Sequence, residues 1–137
     1  MNYLINQIKL HEGFSKKVYV DTEGYSTIGY GFAIKDLELD EDIAEEILAR
    51  NLTKLITRVR KTFDWYDSMP EEIQDVVINM CYNLGIKGYS KFKKHIKYLK
   101  EHNWELAGDE MLDSLWAKQV KTRANDLSNI VRHCTAK

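Results

Sequence analysis

Three residues near the start of the chain could together carry out acid–base hydrolysis. Glu12 ends a short helical segment, Asp21 follows nine residues later at the entry to a turn, and Thr27 lies six residues further on. A carboxyl at a helix C-terminus meets the partial negative charge there. A second negative charge is disfavoured at that place, which suits a proton donor. A carboxylate in a turn is solvated and suits a base. Two carboxyls and a hydroxyl on separate elements around a hairpin are the groups that acid–base cleavage with an activated water requires. Singly, each residue has a plainer reading: a surface acid, a turn aspartate, a strand threonine.

The elements that must position them can be read from the same stretch. Leu4, Ile5 and Ile8 share one face of a helix over Leu4–His11, with Asn2 as its N-cap and Gly13 as its stop. Lys17–Val20 reads as a strand, Asp21–Gly24 as a turn, Tyr25–Ile28 as the returning strand and Phe32–Ile34 as a short third one. Seven acids lie between Asp36 and Glu46. Asp40 can cap a long helix running to about Lys61, with Ile43, Ile47, Leu48, Leu52, Leu55, Ile56 and Val59 at helical spacing. Acids at its start and bases towards its end suit the helix dipole, so the acid cluster reads as a solvated helix start and not as a metal site.

Ser68-Met69-Pro70-Glu71 has the form of a capping box. The helix that it opens carries Ile73, Val76, Val77, Met80, Cys81 and Leu84, and Gly85 and Gly88 close it. Six lysines fall between Lys87 and Lys100, Asn103 can cap a helix over Trp104–Leu112, a turn surrounds Trp116, and a last helix covers Thr122–Arg132. The order gives an α+β fold, mostly helical. Trp65, Trp104 and Trp116 read as core aromatics.

Composition narrows the function classes. The 137 residues suggest one domain, and 44% hydrophobic with 30% charged residues is globular composition. Twenty bases against twenty-one acids give a formal net charge of −1, which supplies no bulk attraction to nucleic acid or anionic membrane. Two cysteines, Cys81 and Cys134, make no disulfide framework and read as reduced thiols. No apolar run approaches the length of a membrane span, and the N-terminus lacks the pattern of a signal peptide.

The joint pattern is more specific than its parts. Glu12-Gly13, Tyr19-Val20-Asp21-Thr22-Glu23-Gly24-Tyr25 and Thr27-Ile28-Gly29-Tyr30-Gly31 resemble the active-site region of phage-type lysozymes, those of the T-even type above all. The likeness continues in Ile78-Asn79-Met80, Leu84-Gly85, Gly88 to Phe92, Ser114, Trp116, Gln119 and Arg123-Ala124. It implies a two-lobed fold: a β-hairpin lobe over 12–40, a linking helix over 41–62 and a helical lobe over 63–137, with the first helix packing on the helical lobe. It also implies an endolysin that cleaves the β-1,4 bond between N-acetylmuramic acid and N-acetylglucosamine in peptidoglycan, with inversion. Glu12 would be the general acid. Asp21 and Thr27 would hold the water, at a carboxyl separation of roughly 6.5–9.5 Å.

The resemblance further implies that Arg123 reaches Glu12, and that Ala33, Tyr82, Asn83, His95 and Glu110 contact substrate. Packing and plain exposure are the competing readings of those five. No cofactor and no metal are implied. The expected partners are glycan strands, with a holin giving access from the host cytoplasm; no nucleic acid, no membrane insertion and a monomer are expected. Phe32 departs from the family pattern, in which a histidine follows Gly-x-Gly. A lytic transglycosylase and an inactive wall-binding module are the rival readings. The presence of both Asp21 and Thr27 favours hydrolysis, since a transglycosylase needs no catalytic water.

Overall fold

Around Asp21 the chain folds into a hairpin because a turn-forming run separates two extended segments. In the computed structural model, which describes all 137 residues, β1 (Ser15–Val20), β2 (Ser26–Gly29) and β3 (Phe32–Ala33) form an antiparallel sheet in that order. Tyr19 pairs with Thr27 across β1 and β2, and Thr27 pairs with Ala33 across β2 and β3. The central strand therefore presents Thr27 between two neighbours. The sheet is preceded by α1 (Asn2–Glu12), and Gly13 closes that helix by donating its N–H to Lys9 O at 2.9 Å. Asn2 lies inside the first turn and Met1 takes the cap position without a side-chain bond, so the expected Asn2 cap is corrected.

The chain divides into two compact units, Met1–Glu45 and Glu46–Lys137, with the boundary inside α2 (Glu41–Thr62). In the first unit Thr27 is the one buried side chain. Its aromatic cluster joins Phe14 to Tyr30 at 5.3 Å between ring centroids and Tyr30 to Phe32 at 6.3 Å, edge to face. Phe32 is itself exposed and meets the Tyr30 ring at its edge.

The second unit holds the core. It contains α3 (Glu71–Tyr89), α4 (Lys93–Lys100), α5 (Trp104–Leu112), α6 (Leu115–Gln119) and α7 (Lys121–Arg132). Ile73, Val76, Val77 and Met80 of α3 meet Ala107 and Met111 of α5 and Ala124, Leu127 and Val131 of α7 in one apolar cluster. Trp104 and Trp116 are buried there and Trp65 packs partly buried against it, as the sequence suggested. The Trp104 indole donates to Ala136 O at 2.7 Å and so ties down the C-terminal tail. Burial pushes the Cys81 thiol up to about 12, which keeps it protonated and unreactive.

The start of α3 differs from the sequence reading. Ser68 does not cap α3: its hydroxyl donates to Trp65 O at 2.7 Å, Pro70 occupies the cap position, and the helix begins at Glu71. Gly85 interrupts α3 as the sequence suggested: at φ 77°, ψ 157° it leaves the helical conformation, and after this kink one more turn runs to Tyr89. Asn103 caps α5 as expected, accepting from Leu106 N at 3.3 Å.

Candidate active site

Glu12 is the last residue of α1, exposed, and lines a hollow of about 300 Å³ with Gly13, Phe14, Ser15 and Tyr19. Its carboxyl lies against Gly31. A Cβ built on Gly31 would stand 2.5 Å from Glu12 Oε2 and 3.0 Å from Cδ. Gly31 also has φ +76°, which L side chains rarely adopt. Both the space for the carboxyl and the path of the backbone therefore depend on glycine there.

Asp21 holds its own turn. Its Oδ1 accepts from Glu23 N at 2.9 Å and from Tyr25 N at 2.8 Å. Both bonds fall on one oxygen, which leaves Oδ2 for another donor. Asp21 N donates to Tyr25 O at 2.9 Å, and the Thr27 hydroxyl donates to the same carbonyl at 2.9 Å. The backbone of Tyr25 thereby links Asp21 to Thr27. The Tyr25 ring is covered by the Lys35 ammonium at 4.2 Å, a cation–π contact that braces the turn from outside. Sequence reasoning passed over Tyr25 because its contribution runs mainly through its backbone. Its place between Asp21 and Thr27 in the turn was the only signal.

The remaining candidates are placed as follows. Ala33 is half-buried on β3, directly opposite Thr27. Tyr82 is exposed on α3 and lines a hollow of about 400 Å³ with Asn79 and Arg123. Asn83 accepts from the Trp116 indole at 2.7 Å through Oδ1, which leaves its amide N–H groups free. Glu110 is half-buried on α5 beside a hollow of about 380 Å³ that Lys91, Lys93, Lys94 and Asp113 also line.

Arg123 is held by Asn79: Nε donates to Oδ1 at 2.8 Å and Nη2 to the backbone carbonyl at 3.3 Å. Asn79 lies in the stretch Ile78-Asn79-Met80, and its hold on Arg123 follows from the fold across 44 residues of sequence.

His95 is corrected. It is 1% exposed, and both ring nitrogens are occupied. Nδ1 donates to Ala107 O at 2.8 Å, and Nε2 accepts from the Tyr89 hydroxyl at 3.1 Å. Burial holds its pKa down to about 4. It is a neutral core histidine with no polar atom left for a sugar.

The sequence profile described as Phage lysozyme matches residues 9–135. "Probable T4-type lysozyme 1" of Dictyostelium discoideum is 26% identical over 92% of this chain and 91% of its own length. "Probable T4-type lysozyme 2" of the same organism is 24% identical over 98% and 96%. The "Pre-baseplate central spike protein Gp5" of Enterobacteria phage T4 is 26% identical over 93% of this chain and 27% of its own length. The first of these alignments runs over 155 positions, more than the 137 residues present here, so this chain carries deletions relative to that protein. With the profile matching nearly its whole length, the chain belongs to the phage lysozyme family.

Proposed function

We propose that this lysozyme hydrolyses the β-1,4 bond between N-acetylmuramic acid and N-acetylglucosamine in peptidoglycan, with inversion at the anomeric carbon. Glu12 gives its proton to the leaving oxygen, and a water held by Asp21 and Thr27 attacks the opposite face of the sugar. The observation that carries this reading is the committed hydroxyl of Thr27. Its proton goes to Tyr25 O, so its oxygen meets a water as an acceptor. The free Oδ2 of Asp21 is an acceptor as well. A water that gives one hydrogen to each turns a lone pair outward, ready for displacement. Asp21 takes the proton that this water loses. The carboxyl separation expected for this pair is roughly 6.5–9.5 Å, room for one water.

Tyr82 offers an aromatic face to a sugar ring, and the free amide of Asn83 suits an acetamido carbonyl. Ala33 and Glu110 complete the proposed substrate contacts, and Arg123, oriented by Asn79, supports the acid. No helix is long and apolar enough to cross a membrane. The reading extends to an endolysin: a monomer that accumulates in the host cytoplasm, meets the wall once a holin has opened the membrane, and lyses the host.

The test is clearing of outer-membrane-stripped Gram-negative cells by wild type and Glu12→Gln, with mass spectrometry of the products. Loss of clearing in the variant and one added water per cut support the reading. Equal clearing by Glu12→Gln removes the proposed acid. Anhydro ends identify a lytic transglycosylase, and wall binding without cutting by wild type identifies an inactive module.

A further inference from the structure

Positive charge is unevenly spread along the chain. Met1–Glu45 carries nine acids and four bases, while Glu46–Lys137 carries sixteen bases and twelve acids. Six of those bases are Lys87, Lys91, Lys93, Lys94, Lys97 and Lys100, and no acid falls among them. All six are exposed, and none makes a salt bridge. Lys93, Lys97 and Lys100 recur at i, i+4 and i+7 on α4, so they form a single row about 10 Å long. The same three border a shallow hollow of about 330 Å³. Glu101 also lines that hollow, and Glu110 and Asp113 line the neighbouring one, without pairing to a lysine.

The face shows what kind of partner it suits. Between Ile86 and Glu101 no large apolar side chain is exposed, so nothing there would enter a bilayer. Phe92 is partly buried against the core and stacked on Tyr89, and the Lys97 ammonium lies over the partly buried Tyr98 ring at 5.7 Å, so both rings are already engaged by neighbours. What remains is charge alone, presented to a hydrated polyanion.

We infer that the Lys93–Lys97–Lys100 row docks the enzyme on the carboxylates of peptidoglycan stem peptides. This rests on the wall being the substrate, as proposed above. The row works by charge and takes no part in the chemistry proposed for Glu12, Asp21 and Thr27. It supplies locally the attraction that a chain of net charge −1 lacks.

Retention is best read in a chain that leaves walls intact, so Glu12→Gln is compared with the same chain also carrying Lys93→Gln, Lys97→Gln and Lys100→Gln. Both are cosedimented with purified sacculi. Loss of three exposed ion contacts is expected to weaken retention about tenfold at low salt. The difference should vanish on sacculi stripped of stem peptides by an amidase and at roughly 0.5 M salt, where screening reaches within a few ångströms. Replacing the three lysines by arginine should restore it.

Equal retention of the two chains overturns the inference. So does a tenfold difference that persists on stripped sacculi. Binding to phosphatidylglycerol vesicles or duplex DNA as tight as to sacculi overturns the choice of partner. Retention does not depend on cutting, so a wild type that binds through the row but releases no sugar ends would remove the proposed hydrolysis and leave the docking intact.

Discussion

Gly31→Ala separates the shape of the site from its chemistry. The added Cβ would meet Glu12 Oε2 at 2.5 Å, whereas ordinary contact begins near 3.4 Å. The carboxyl is the free end of a flexible side chain, so it retreats, by about 1 Å. Misplacement of a reacting group by that distance costs about a hundredfold in rate. The backbone cost is separate. Holding alanine at φ +76° costs about 1–2 kcal/mol, which lowers Tm by roughly 3–10 °C in a domain of this size. The assay is release of reducing ends from purified sacculi at a temperature where both proteins are folded, with Tm followed by circular dichroism.

Gly24→Ala is the control. Gly24 has φ +89° with nothing within 4 Å of its Cβ position, so it suffers the backbone strain without touching Glu12. It should lose comparable stability and keep activity within a few-fold. It lies in the turn that Asp21 holds, which makes it a stringent control. Wild-type activity in folded Gly31→Ala, or an equal loss in Gly24→Ala, would refute the claim that Gly31 makes room for the acid.

Asp21→Asn should preserve the turn, because an amide oxygen can accept the same two N–H bonds from Glu23 and Tyr25, while activity falls at least about a hundredfold. Asp21→Ala should lose both activity and roughly 1–2 kcal/mol of stability, read by urea titration. An active, stable Asp21→Ala would contradict both roles. For His95, burial depresses the folded pKa to about 4, below the ordinary 6.5. Its contribution is therefore fully present above about pH 6.5, and falls progressively until it is gone near pH 4. The total is about 3 kcal/mol at ~1.4 kcal/mol per pKa unit. His95→Gln should be less stable than wild type at pH 7 and show a flatter decline between pH 6.5 and 4. An equal slope in the two proteins would show that another group governs the acid limb.

The hairpin and the end of α1 were legible because they depend on local chemistry. Gly13 stops a helix, and Asp21 to Gly24 make a turn from their own side chains and backbone. Thr27 was assigned to the right strand for the same reason, although its burial was not foreseen. What escaped depends on contacts distant in sequence. His95 sits in a lysine-rich stretch that reads as surface, and only packing shows that Tyr89 and Ala107 enclose it. Asn79 holds Arg123 across 44 residues. Ser68 had the spelling of a cap, but its hydroxyl bonds Trp65 O and Pro70 stands at the cap position of α3. Gly85 shows another limit: composition marks a place where a helix can break, and only tertiary context decides whether the chain stops or bends there.

The contact between Glu12 and Gly31 bears on how members of this family are sorted into cutters and binders. An inventory of Glu12, Asp21 and Thr27 would score a chain with any larger residue at 31 as intact. Its proposed acid would nonetheless have to move aside, with every proposed reacting side chain still in place. On the proposed mechanism, position 31 therefore belongs beside Glu12, Asp21 and Thr27 wherever loss of activity is judged.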